Sequence, residues 1–253
     1  MENKMKVLFM AESVTMAHIT RPLTLALELQ EQGYEVIFAT SQRPKVLEAS
    51  LNKLNVIEIE KALTPEQFNN ALSAGKVPFS ESVLRQYVQE DLRLLNKIQP
   101  DIVVGDMRVS LQISARIKNI RFLNLTNIVW SPNAQMPKIV PECPLTQILG
   151  GRIGSQAGQP FVSLVMSQFV KPFNKLRVEY GLAPLASLEA CYNDGDIVAY
   201  LDLPGLVKTE TLPTHHVFLG PLLFSAAMPM PEWFTLLPKN KKKVFVSMGS
   251  SGN

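Results

Sequence analysis

Short apolar runs alternate with amphipathic stretches along the first half of this chain, and that alternation leaves few folds open. The runs "KVLFM" (6–10), "YEVIFAT" (34–40), "VIEIE" (56–60), "DIVVG" (101–105) and "RFLNLT" (121–126) are strand-like. Helical patterns lie between them. One spans Thr20 to Gln32 and is ended by Gly33. Thr64-Pro65-Glu66-Gln67 has the makings of a helix start, with Thr as cap, Pro at the first position and Gln three residues after the cap. From Ser80 to Ile98 the residues Val83, Leu84, Tyr87, Val88, Leu92, Leu95 and Ile98 recur at helical spacing and make one apolar face. A further helix is predicted from Ser110 to Lys118. The strand runs are apolar throughout rather than alternating, as expected when helices cover both faces of a parallel sheet. The order predicts a doubly wound α/β sheet, with its first five strands in the order 3-2-1-4-5.

The second half is less regular. The proline-rich 131–144 and the glycine-rich "GGRIGSQAGQP" (150–160) read as loops, and the latter lacks the G-x-G-x-x-G spacing of a nucleotide fingerprint. A helix is predicted from Phe161 to Tyr180, and strands at "DIVAYL" (196–201) and "HVFLG" (216–220). Residues 225–243 carry prolines and the run "KNKKK" and read as a linker. A fresh strand is expected at 244–248, followed by a glycine-serine turn. A lone strand cannot bury its faces, so 244–253 reads as the start of a second α/β domain whose remainder is missing. The expected division is 1–224, a linker at 225–243, and 244–253.

Composition excludes several classes. A net charge of +3 is too small to argue for nucleic acid. The two cysteines, Cys143 and Cys191, lack neighbours at metal spacing and suggest no disulfide framework. The amino-terminal apolar run is too short for a signal peptide, and no stretch is long enough to span a membrane. A cytoplasmic location is the expectation.

In an open α/β sheet, ligands bind beyond the carboxyl ends of the strands, where strand order reverses. The loop after the first strand carries His18, and the fourth strand ends at Asp106, so the topology puts both on one rim. An imidazole can take a proton near neutrality, and a carboxylate behind it would fix its tautomer. A loop histidine and a turn-capping aspartate are equally ordinary structural residues, and both readings stand at this point. Ser13 and Thr15 lie in no nucleophile elbow. His215 and His216 lack carboxylate or cysteine company and read as structural. The sequon at Asn124 falls in a predicted buried strand and is discounted. Trp130 and Met136 suit either an apolar acceptor pocket or packing.

The stretch "AHITRPLTLALELQEQGYEVIFAT" resembles the opening of the UDP-glucuronosyl/UDP-glucosyltransferase superfamily, in which a loop histidine precedes a Pro/Leu-rich helix. "PDIVVGD", "FNKLRVEYGLAPLASLE", "DIVAYLDLP", "VFLGPLLF" and "VFVSMGSSGN" resemble later segments of the same family, so the likeness runs over nearly the whole chain. The resemblance implies the Rossmann-like amino-terminal half of a GT-B fold. It implies an inverting transfer of sugar from a UDP-sugar to a hydroxyl of a small, apolar acceptor. His18 matches the general base and Asp106 its acidic partner. Gly249, Ser250 and Ser251 match the loop that approaches the donor. Met16, Asn127, Trp130 and Met136 are expected to contact the acceptor. No cofactor is implied beyond the UDP-sugar as donor substrate, and no metal. The family commonly has Gly where this chain has Ala17, which would strain the loop if that position needs a positive φ. Without a donor domain the chain is expected to be incompetent in transfer, and an exposed interdomain face would favour self-association. The alternative is a non-catalytic small-molecule or partner-binding module on the same fold. A nicotinamide-dependent enzyme is disfavoured, because the glycine fingerprint is lacking.

Overall fold

A computed structural model describes residues 4–74, 76–136, 166–226 and 229–246. Seven parallel strands form one sheet in the order β3-β2-β1-β4-β5-β6-β7. They are β1 (Lys6–Ala11), β2 (Glu35–Thr40), β3 (Asn55–Glu58), β4 (Ile102–Asp106), β5 (Arg121–Thr126), β6 (Ile197–Tyr200) and β7 (His216–Phe218). The predicted order of the first five holds, and the two later strands extend the same edge.

The unbroken apolar run of β1 is explained by its two faces. Val7, Phe9 and Ala11 pack into one core with Phe38 and with Ile19, Leu23 and Ala26 of helix α1 (Ala17–Glu31). Leu8 and Met10 point the other way. There they meet Leu94 and Leu95 of α4 (Glu81–Ile98), and Leu111 and Ala115 of α5 (Leu111–Lys118). Every one of these side chains is buried, so a polar substitution on either face would strand its polar group in a core. Gly105 of β4 is required by close approach. A Cβ there would lie 2.6 Å from Leu111 Cδ1 and 3.1 Å from the Phe122 ring.

The short helix α2 (Glu48–Leu51) leads into β3. Helix α3 (Pro65–Ser73) starts at the predicted capping box: Gln67 N donates to Thr64 Oγ1 at 3.1 Å, and Thr64 N to Gln67 Oε1 at 3.0 Å. Ser80 caps α4 by accepting from Val83 N. Residues 166–179 form the helix α6, which packs Val170, Phe173 and Leu176 against α4 and against α7 (Leu188–Tyr192). The rest of the helix predicted from Phe161, together with the glycine-rich 150–160, lies outside the described residues.

The 225–243 segment, read as a linker, carries a short helix, α8 (Glu232–Thr235). One expectation is corrected. Residues 244–246 form no strand, and Val244, Phe245 and Val246 are exposed. They pair with no neighbour among the described residues, and a strand needs a ladder partner. Residues 247–253, including Gly249, Ser250 and Ser251, lie outside the described residues. No helix among the described residues is long and apolar enough to cross a membrane.

Candidate functional site

The site forms at the carboxyl ends of β1, β4 and β5. His18 is not in a loop, as expected from the sequence, but is the second residue of α1. The helix starts earlier than its sequence suggests: Met16 occupies the cap without a side-chain hydrogen bond, so no capping signature marks the start. Ala17 sits in this first helical turn and is not among the residues with positive φ. Alanine at that position therefore brings no backbone strain. Pro22, within α1, has no N–H to give the His18 carbonyl four residues earlier.

Asp106 is the last residue of β4 and is 1% exposed. Met107 follows it in the left-handed region, at φ 59°, which costs a non-glycine residue about 1–2 kcal/mol. The chain turns there. Asp106 is directed to the rim, and Arg108 to the interior.

His18 Nδ1 lies 2.8 Å from Asp106 Oδ1. The two residues that the topology put on one rim are therefore in direct contact. Arg21, one helical turn after His18, grips the same carboxylate. Its Nε donates to Asp106 Oδ2 at 2.9 Å and its Nη2 to Oδ1 at 2.6 Å. This bidentate pairing holds the buried carboxylate with its charge matched. Arg21 Nη1 donates to Asn127 Oδ1 at 2.7 Å, and Asn127 Nδ2 to Asp202 Oδ1 at 3.1 Å. Asp202 Oδ2 accepts the Ile128 N–H at 2.6 Å.

A small cavity opens beside the pair, lined in part by His18, Asp106, Asn127, Trp130 and Tyr192. The Trp130 and Tyr192 rings lie 5.1 Å apart, and Asn193 holds the Trp130 carbonyl at 2.6 Å. Asn127 and Trp130 thus reach the cavity. Met16 and Met136 are exposed and are not among its lining residues.

Behind the rim lies a wholly buried ionic cluster. Arg108 donates from Nε to Asp91 Oδ1 at 2.9 Å and from Nη1 to Glu12 Oε2 at 3.3 Å, and its guanidinium stands 4.0 Å over the Tyr87 ring. Burial pushes the Glu12 and Asp91 carboxyls above their ordinary range, and the Arg108 charge only partly offsets it. Glu12 follows β1 and Arg108 follows β4, so this cluster ties together the segments that lead to His18 and Asp106.

The remaining candidates are structural. Ser13 Oγ is buried against Thr40 Oγ1 at 3.0 Å. Asn124 is nearly buried and donates to the Tyr192 and Asp194 carbonyls. His216 Nδ1 meets the Tyr200 hydroxyl at 2.8 Å, and burial, with His215 beside it, holds its proton affinity below the usual range. No group of three potential metal ligands occurs among the described residues. Sequence reasoning missed Arg21 and Asp202. Arg21 was available as a charged residue at i+3 from His18 on a helix face.

No protein-family model matches the chain. The chain is 34% identical over 254 residues to a Mycobacterium bovis protein named inactive PGL/p-HBAD biosynthesis glycosyltransferase, covering 98% of this chain and 68% of that one. It is 34% identical to a PGL/p-HBAD biosynthesis glycosyltransferase of Mycobacterium tuberculosis, over 98% of this chain and 58% of the relative. It is 36% identical to a PGL/p-HBAD biosynthesis rhamnosyltransferase of Mycobacterium bovis, over 98% and 55%. Among solved structures, the glycotransferase of kitacinnamycin superposes with a TM-score of 0.56 at 15% identity, over 90% of this chain and 55% of that one. The glycosyltransferase VinC in complex with DTDP superposes with a TM-score of 0.55 at 15% identity, over 93% and 58%. The chain spans a little over half the length of these solved structures.

Proposed function

This chain belongs to the GT-B glycosyltransferases, and from that premise we propose that it is the acceptor side of an inverting sugar transferase, with His18 as general base. The observation that carries the reading is the 2.8 Å contact between His18 Nδ1 and the buried Asp106 carboxylate. With Nδ1–H donating a hydrogen bond to the charged Asp106 carboxylate, Nε2 is left to take the proton of an acceptor hydroxyl, and the imidazolium that forms is stabilised by that charge. The freed oxygen forms a bond to the anomeric carbon of the donor sugar. The bond from that carbon to the diphosphate breaks on the opposite face, and the electron pair leaves with the nucleoside diphosphate. Attack from the far side inverts the anomeric centre. Asn127, Trp130 and the neighbouring Tyr192 hold the acceptor in the cavity, and the aromatic pair favours an apolar one.

The donor is a UDP-sugar. Residues 1–224 form the acceptor domain and 225–243 the linker. By the family resemblance, 244–253 is assigned to the start of the donor domain, and Gly249, Ser250 and Ser251 to its donor-binding loop. The site needs no metal. A second reading, a module that binds the acceptor without transferring sugar, draws on the word "inactive" in the name of one relative.

The test uses the protein completed with a donor-binding domain. UDP-sugars and dTDP-sugars are offered with a panel of hydroxylated acceptors, and nucleotide release and product anomer are followed. Acceptor-dependent release of UDP with an inverted anomer is expected. A retained anomer overturns the mechanism, and dTDP-sugars used in place of UDP-sugars overturn the donor assignment. Acceptor binding without release of any nucleotide favours the second reading.

A further inference from the structure

We propose that Arg21 is a positioning residue for the His18–Asp106 pair: it fixes the carboxylate so that the ring proton of His18 stays on Nδ1. The inference rests on the reading of His18 as base. The guanidinium is held on three sides. Nε and Nη2 fork onto Asp106 at 2.9 and 2.6 Å, and Nη1 reaches Asn127 Oδ1 at 2.7 Å. Asn127 is anchored in turn by Asp202, in the segment after β6. A planar donor gripped in this way cannot turn, and neither can the carboxylate it holds.

The same guanidinium is a rival for the ring. Arg21 Nη2 lies 2.9 Å from His18 Nδ1, while Asp106 Oδ1 lies 2.8 Å from it. Nδ1 can play only one role. If it carries the proton, it donates to Asp106, and Nε2 is an acceptor facing the substrate. If it does not, it accepts from Nη2, the proton sits on Nε2, and the ring cannot serve as base toward the acceptor. An unprotonated Nδ1 would also set its lone pair against a carboxylate oxygen at 2.8 Å. The charged carboxylate therefore accepts the hydrogen bond from a protonated Nδ1, and Nη2 satisfies itself on Oδ1, where its contact is shortest. The groups facing the ring are Arg21 from its own helix and Asp106 from β4. Asn127, at the end of β5, acts on it only through Arg21.

The chain has three histidines, so the side-chain nitrogens of His18 can be assigned by 15N NMR with a His18→Gln variant. In the parent chain, the neutral ring is expected as a single species protonated at Nδ1. Arg21→Met, checked for folding by circular dichroism, is expected to lose that single tautomer. In the completed transferase it should lower kcat by roughly 10–100-fold, by analogy with the loss of outer-shell partners elsewhere, with KM for the acceptor little changed. Arg21→Lys keeps the charge without the fork and is expected to restore neither. A parent ring protonated at Nε2, an Arg21→Met chain with unchanged tautomer and kcat, or full rescue by Arg21→Lys would each overturn the assignment. If His18→Gln leaves transfer intact, the base reading fails on its own, whatever Arg21 does to the tautomer.

Discussion

Arg108 is the residue whose loss the fold should feel most. Its side chain is fully buried between Glu12 and Asp91, themselves fully buried, and it stacks on Tyr87. Arg108→Met keeps the length and removes the only cation in this cluster. Removing one partner of a buried ion pair costs about 3–5 kcal/mol, because the other charge is left uncompensated. Here two carboxylates lose their partner, so the upper half of that range applies. With an m-value of about 3 kcal/mol/M in urea, a loss of about 4 kcal/mol lowers the midpoint by roughly 1.3 M. The loss should depend on pH, with a definite sign. Burial already raises Glu12 and Asp91 above the ordinary carboxylate range, and losing Arg108 raises them further. A carboxyl raised in the folded state contributes stability below its unfolded pKa and loses it as pH rises through its folded one. The deficit of Arg108→Met is therefore largest at neutral pH and shrinks at mildly acidic pH, as the stranded carboxyls take protons. Urea titrations of parent and variant at both pH values measure this. A triple variant, Glu12→Gln, Asp91→Asn and Arg108→Met, removes all the charges and should recover much of the loss. A variant within about 1 kcal/mol of the parent at neutral pH, far below that range, would refute the reasoning. So would a deficit indifferent to pH.

Two further outcomes follow from packing and burial. Gly105→Ala places a Cβ 2.6 Å from Leu111 Cδ1, in a core where Leu111 and Phe122 have little room to move. It should cost about 1–3 kcal/mol of overpacking, visible as a lower thermal midpoint. The Cys191 thiol is buried and pushed up to about 12, mainly by that burial. Alkylation of the Cys191 peptide at mildly alkaline pH, followed by mass spectrometry, should be slow in the native chain and fast in urea.

Much of this arrangement was legible in the sequence, for reasons that particular residues make plain. The run Val7 to Ala11 reads as a doubly covered strand because both of its faces are apolar, and the sheet buries both. Thr64 and Gln67 announce their helix because a capping box is a purely local device. His18 and Asp106 could be paired in advance because strand order alone brings the ends of β1 and β4 together. The start of α1 could not be read, since Met16 offers no cap. Arg108 was invisible for a different reason. Nothing local marks an arginine as buried, and its partners Glu12 and Asp91 come from distant segments that only the tertiary fold brings together. Arg21 was overlooked because its work depends on Asn127 and Asp202, which reach it through the ends of β5 and β6.

The most direct test of the central claim is the rate of the transfer step itself. The chain joined to a donor-binding domain, in excess over acceptor and saturated with sugar nucleotide, is mixed in a single turnover, for the parent and for His18→Ala. The account predicts that His18→Ala slows transfer by about 10²–10⁴-fold, the usual contribution of a general base, with acceptor binding retained. Transfer by His18→Ala within a fewfold of the parent rate would contradict it and return His18 to the structural residues of α1.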